Sequence, residues 1–136
     1  MVLICLIENS PDDVEVAQYV FDDCGLEIDL EIYRDGRIAI FELGRSVSPD
    51  LILLDWHLGR ASGLEVLQFI KNHPELKKVP TVIFSTSKNE TDILNAYQNY
   101  CNSFLIKPLG LDETIKALKD TVLFFVKHLC CPQSKV

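Results

Sequence analysis

Four short apolar runs in this chain each end at a polar residue. They cover residues 3–7, 51–54, 82–84 and 104–106. Bounded runs of this length, rich in branched side chains, are typical of strands buried in a parallel sheet. Because helical patterns separate the runs, the chain predicts an α/β domain with helices on both faces of the sheet.

The remaining pattern predicts the other elements. Residues 28–32 alternate between apolar and polar side chains, which indicates a fifth strand at the edge of the sheet. Ser10 and Pro11 favour the start of a first helix that Gly25 ends. Ser87 and Glu90 have the spacing of a capping box for a helix running to about residue 100. The other helices are predicted at 36–43, 63–72 and 111–129.

The polar residues after the apolar runs are Glu8, Asn9, Asp55, Ser85 and Lys107. In open α/β sheets, reactive groups gather at the carboxyl ends of the strands, so we expect these five to meet in one cleft. A carboxylate such as Asp55 can attack a phosphoryl group and form an acyl phosphate. The chemistry then requires a counter-charge, which Lys107 and a magnesium ion would supply. The expected magnesium ligands are Glu8, Asn9, Asp55 and the backbone carbonyl of His57.

Length, charge and cysteine content limit the class of protein. The 136 residues predict one domain, at 1–130, with a flexible tail at 131–136. The formal charge is −7, and a basic stretch longer than two residues is absent from the sequence, which argues against nucleic-acid binding. Since the apolar runs fall short of the roughly 20 residues that cross a bilayer, we expect a cytoplasmic protein without membrane contact. The five cysteines form no CxxC pair, and the reactivity of Cys130 and Cys131 is left open.

The spacing of the chemical residues resembles that of a known family. Asp55 precedes Ser85 by 30 positions and Lys107 by 52. With Lys107-Pro108, Arg34-Asp35-Gly36 and Gly63, this pattern is similar to the response-regulator receiver domain of bacterial two-component signalling. The segments at 72–77 and 85–87 resemble stand-alone receivers that pair with phytochrome-type kinases.

The resemblance implies a flavodoxin-like three-layer sandwich with strand order 2-1-3-4-5. It implies that Asp55 accepts a phosphoryl group from a sensor histidine kinase, with Lys107 and Ser85 assisting. Ser85 and Phe104 would change position after phosphorylation. A downstream protein or a second copy would then recognise the face made by the fourth helix, fifth strand and fifth helix. The Lys107–Pro108 bond is expected to be cis, and catalysis is expected to be limited to the chain's own phosphotransfer and dephosphorylation.

Two departures from the family pattern leave alternatives open. Asn9 stands where the family has a second carboxylate, so we expect weaker magnesium binding; Gly59 replaces a common proline. Asp12 or Asp13 could supply the missing charge, although helix capping explains them more simply. An alternative is a pseudo-receiver, an interaction module that phosphorylation does not switch. A haloacid-dehalogenase-type phosphatase ranks lower because His57 stands where that family has an aspartate. Trp56 is expected at the surface or in a partner contact.

Overall fold

The structure, a computed structural model, describes residues 1–128. Its sheet contains five parallel strands in the order β2-β1-β3-β4-β5, as the predicted fold class requires. The strands are β1 (Val2–Ile7), β2 (Ile28–Tyr33), β3 (Leu51–Leu54), β4 (Thr81–Ser85) and β5 (Ser103–Ile106). The alternating strand β2 lies at an edge, as predicted. The predicted tail at 131–136, which includes Cys131, and the preceding Cys130 lie outside the described residues.

Within residues 1–128, five α-helices connect and cover the strands. They are α1 (Pro11–Asp23), α2 (Gly36–Leu43), α3 (Gly63–Asn72), α4 (Glu90–Gln98) and α5 (Leu111–Val122). A 3₁₀ turn at Leu76–Lys78 precedes β4, and a π-helical turn at Leu123–His128 continues α5. No helix in the described part of the chain has the length and apolar character of a membrane span.

The sheet separates two apolar layers, because alternate side chains of a strand point to opposite faces. In β1, Cys5 and Ile7 pack in the layer with α2, α3 and α4. Ile4 and Leu6 pack in the layer with α1 and α5. The carboxyl ends of the strands are therefore fixed by a core on both faces.

The start of α4 differs from the predicted capping box. Asn89 is the N-cap, and its side-chain oxygen accepts a hydrogen bond from the backbone amide of Thr91 at 2.8 Å. Ser87 lies ahead of the helix, and its hydroxyl donates to Asp92 Oδ2 at 2.7 Å. The prediction was wrong because Asn89 is an equally good cap closer to the first helical residue, Glu90. The helix also ends at residue 98, two residues earlier than predicted.

Trp56 is buried, with 7% of its surface exposed, so its predicted place at the surface was wrong. The reason is a close approach between Gly63 and the backbone of Trp56. A Cβ atom on Gly63 would lie 2.6 Å from Trp56 Cα, so glycine lets the loop after β3 fold tightly. The indole then packs edge-on against Phe104, with ring centroids 6.0 Å apart.

Candidate functional site

A cleft at the carboxyl edge of the sheet contains three of the predicted residues and one more. Glu8 follows β1, Asp55 follows β3, Lys107 follows β5, and Asp13 lies in the first turn of α1; all four line the cleft. Parallel strands present their carboxyl ends at the same edge, which explains why residues so far apart in sequence meet here. The cleft wall also contains apolar side chains, among them Leu53, Phe84 and Leu118.

The Lys107 ammonium is held by two carboxylates. Its Nζ lies 2.8 Å from Glu8 Oε1 and 2.7 Å from Asp13 Oδ2. The lysine side chain is 9% exposed. Burial alone would lower the pKa of Lys107, but the hydrogen bonds with Asp13 and Glu8 outweigh burial and raise it. Within residues 1–128, Lys107 Nζ makes no hydrogen bond to Asp55. The ammonium group is therefore paired with Glu8 and Asp13.

Glu8 is a buried carboxyl group between a cation and another acid. It is 4% exposed, and its Oε2 accepts a hydrogen bond from the Ser10 amide at 3.2 Å. Burial raises the pKa of Glu8 to about 7; the Lys107 ammonium lowers it, and Asp55 raises it. Two neighbouring carboxylates in a poorly hydrated cleft favour the binding of either a proton or a cation.

Asp55 is fixed at the end of β3 with little contact to solvent. It is 8% exposed, and its backbone amide donates to the Ile7 carbonyl at 2.9 Å, which ties it to the end of β1. Its Oδ1 accepts a hydrogen bond from the His57 amide at 3.5 Å, while His57 itself is exposed. This carboxylate is therefore positioned by backbone contacts and faces the cleft.

Asn9 and Ser85 do not line the cleft. The Asn9 side chain is exposed and makes no hydrogen bond with the described residues. Ser85 is fully buried, and its hydroxyl oxygen accepts from the Ser87 amide at 3.2 Å. The Lys107 amide donates to the Ser85 carbonyl at 2.7 Å, which joins the ends of β4 and β5. Ser85 is thus one strand away from the cleft-lining lysine.

Phe104 is 9% exposed and lies behind the site, against Trp56. Its backbone amide donates to the Tyr97 hydroxyl oxygen at 3.1 Å, which links β5 to α4. The Lys107–Pro108 peptide is trans, since the described residues contain no cis bond; the expected cis form was wrong.

Asp13 is the site residue that sequence reasoning assigned to a simpler role. Ser10 is the cap of α1, and its hydroxyl oxygen accepts from the Asp13 amide at 3.4 Å. The Asp13 carboxylate is left to bind Lys107. The available signal was an acidic residue in the first turn of a helix that starts directly after Glu8.

The oxygen donors of the cleft suit a hard divalent cation in type, although few are carboxylates. Within residues 1–128, no group of three or more His, Cys, Asp or Glu side chains is arranged to hold a metal. Glu8 and Asp55 supply two carboxylates, while the third carboxylate of the cleft, Asp13, is bound to Lys107. The further oxygen donors are the Asn9 amide and the His57 carbonyl, which do not line the cleft but follow β1 and β3. Magnesium commonly takes one or two carboxylates and keeps several waters, so the donor set fits.

Comparison with known proteins gives consistent matches over almost the whole chain. The model of the response regulator receiver domain family matches residues 4–119. Response regulator Rcp1 of Synechocystis sp. is 34% identical over 136 residues, covering 96% of this chain and 92% of the relative. The crystal structure of the Mn²⁺-bound form of Rcp1 has a TM-score of 0.92 at 33% identity, covering 97% of this chain and 99% of that one. The crystal structure of the phosphorylated cyanobacterial phytochrome response regulator RcpA has a TM-score of 0.90 at 30% identity, with the same coverage. With its five-stranded topology and this full-length similarity, the chain belongs to the response regulator receiver domain family.

Proposed function

We propose that this receiver domain is a phosphorylation switch in which Asp55 accepts a phosphoryl group from a sensor histidine kinase. The observation that carries this proposal is the buried cleft in which Asp55 lies beside Glu8 and Lys107. A buried carboxylate with a cation across the same cleft is suited to bind and transfer an anionic group. The phosphorylated state of the similar protein RcpA supports the same chemistry here.

The proposed transfer is a displacement at phosphorus. A carboxylate oxygen of Asp55 attacks the phosphorus of phosphohistidine, the P–N bond breaks, and the imidazole leaves with its electron pair and takes up a proton. Lys107 neutralises a phosphoryl oxygen as a compact charge. The Ser85 hydroxyl exchanges its contact with the Ser87 amide for a phosphoryl oxygen, and Phe104 changes rotamer as the end of β4 moves.

Magnesium is the proposed cofactor, bound by Glu8, Asn9, Asp55 and the His57 carbonyl. When bound, it neutralises charge on the phosphoryl group. The Mn²⁺-bound form of Rcp1, a similar protein, supports the binding of a divalent cation here. Asn9 is a neutral donor and is exposed, so we expect weaker binding than two adjacent carboxylates would give.

The proposed partners are proteins. A phytochrome-type kinase is the proposed phosphoryl donor, because RcpA is described as a phytochrome response regulator. The proposed output surface is the face of α4, β5 and α5, where Leu94, Tyr97 and Ile106 are 56%, 48% and 40% exposed. The hydrogen bond between Tyr97 and the Phe104 amide connects this face to the proposed switch residue.

A second candidate is a pseudo-receiver that binds partners without being switched. Two observations favour it. The described residues contain no group of three or more His, Cys, Asp or Glu side chains arranged to hold a metal. In addition, Glu8, a proposed metal ligand, already forms a salt bridge with Lys107. It predicts that Asp55 neither binds a phosphoryl mimic nor changes the protein when a phosphodonor is added.

Beryllium fluoride, a phosphoryl mimic, separates the two candidates. Trp56 is the chain's single tryptophan and follows Asp55 directly, so its fluorescence should report binding. The switch predicts a saturable, magnesium-dependent fluorescence change that is lost in Asp55→Asn. Absence of any change at millimolar magnesium, with the protein folded by circular dichroism, would contradict it and favour the pseudo-receiver.

A further inference from the structure

We propose that Asp13 is a positioning residue that holds Lys107 on the α1 side of the cleft and competes with the phosphoryl group for it. The proposal rests on the proposed function, because the competition arises once Asp55 carries a phosphoryl group. In this arrangement Asp13 sets how readily the modified state forms. It is neither a metal ligand nor a helix cap.

The Lys107 side chain extends across the edge of the sheet to reach its two partners. Lys107 follows β5 at one edge, whereas its two partners follow β1 or begin α1. Two strands lie between β5 and β1: β4 and β3, and Asp55 directly follows β3. The lysine therefore reaches past the acceptor strand and is anchored beyond it, with both contacts below 2.9 Å. Such short, charge-assisted hydrogen bonds are the stronger ones in proteins.

Helix capping does not account for the Asp13 carboxylate. Ser10 performs that role, accepting from the Asp13 backbone amide. An acidic side chain in the first turn also interacts favourably with the helix dipole. Asp12 lies in the same turn and has the same interaction, but its side chain is exposed and does not contact Lys107. Asp12 and Asp13 thus carry the same charge and lie in the same helical turn, but only Asp13 contacts Lys107.

Phosphorylation changes the balance of partners around the ammonium. Lys107 Nζ has three protons, and Glu8 and Asp13 accept two of them. The Asp55 amide donates to the carbonyl of Ile7, the residue before Glu8, so a lysine that turns toward a phosphoryl group on Asp55 can keep Glu8 as its partner. The contact with Asp13, which α1 contributes, is the one given up. Asp13 consequently stabilises the unmodified state.

The test compares Asp13→Asn with Asp12→Asn, which removes the same charge from the same turn. Two Trp56 fluorescence titrations are made: magnesium alone, and beryllium fluoride at saturating magnesium. We expect Asp13→Asn to bind beryllium fluoride about five-fold more tightly than Asp12→Asn, which corresponds to about 1 kcal/mol. The magnesium half-saturation should be the same in the two variants. Asp13→Glu, which keeps the charge, should resemble the unsubstituted protein, and thermal melts establish that each variant is folded.

Each result bears on a different claim. Equal beryllium fluoride affinity in Asp13→Asn and Asp12→Asn would overturn the positioning role while leaving the phosphorylation switch intact. A magnesium affinity that falls much further in Asp13→Asn than in Asp12→Asn would also overturn it, because Asp13 would then serve the metal. Failure of the unsubstituted protein to bind beryllium fluoride at all would overturn the proposed function, and the positioning role with it.

Discussion

Replacing Asn9 with aspartate should strengthen magnesium binding. The side chain of Asn9 is exposed and forms no hydrogen bond with the described residues, so the new carboxylate meets no steric or polar obstacle. Glu8, the preceding residue, and Asp55 remain in the cleft. The substitution therefore adds one negative charge at the end of β1 and changes little else.

The exposure of Asn9 determines the size of the effect. Two unit charges 4 Å apart interact by about 1 kcal/mol in water and about 4 kcal/mol at an effective dielectric of 20. Because Asn9 is exposed, the value near that of water applies, and the double charge of magnesium raises it to about 2 kcal/mol. We therefore expect Asn9→Asp to lower the magnesium half-saturation concentration by about thirty-fold.

The assay is a magnesium titration followed by Trp56 fluorescence at fixed ionic strength, since salt screens exposed charges. Asn9→Ala is the matched control: it removes the amide oxygen without adding charge, and should weaken binding if that oxygen is a ligand. Thermal stability of the metal-free variants should change by less than about 0.5 kcal/mol, as for ordinary surface substitutions. Equal magnesium affinity in Asn9→Asp and the unsubstituted protein would refute the claim that Asn9 limits the metal site.

Four further predictions concern the site and its support. Because the pKa of Glu8 is raised from 4.5 to about 7, a proton must leave before a metal binds, so magnesium affinity should fall as the pH drops below 7, and Glu8→Gln should remove this dependence. In the metal-free protein Glu8 binds more protons in the folded state than in the unfolded state between pH 4.5 and 7, so its contribution to the unfolding free energy should decrease as the pH rises through that window, as urea titrations of the unsubstituted protein and of Glu8→Gln would show. Gly63→Ala places a Cβ 2.6 Å from Trp56 Cα and 2.9 Å from the Asp55 carbonyl oxygen, and should cost about 1–3 kcal/mol in urea unfolding, with a changed Trp56 emission spectrum. Asp35→Ala removes the N-cap of α2, whose side chain accepts two backbone hydrogen bonds, and should lower stability by about 1 kcal/mol in a thermal melt without altering beryllium fluoride affinity.

The fold was predictable because hydrophobic periodicity reports burial directly. The central strands β3 and β4 are buried at every position, and their sequences contain uninterrupted apolar runs. The edge strand β2 alternates and retains exposed positions. Turn residues such as Gly25, with φ of +82°, ended helices where the pattern placed them.

The contacts inside the site were less predictable, because they depend on side-chain direction. Asp13 and Asp12 are adjacent acids in one helical turn, and the sequence does not distinguish the one that reaches Lys107. Trp56 was expected at the surface or in a partner contact, yet the loop that contains it folds tightly against Gly63 and the side chain is buried. Both are consequences of tertiary packing between segments that are distant in sequence.

The central claim, that Asp55 is a metal-dependent phosphoacceptor, is tested most directly by mass spectrometry after incubation with a small-molecule phosphodonor. One phosphoryl group should be added in the presence of magnesium and should map to the peptide that contains Asp55. The addition should be lost with a chelator or in Asp55→Asn. An unmodified protein at millimolar magnesium, or a phosphoryl group that persists in Asp55→Asn, would contradict the account.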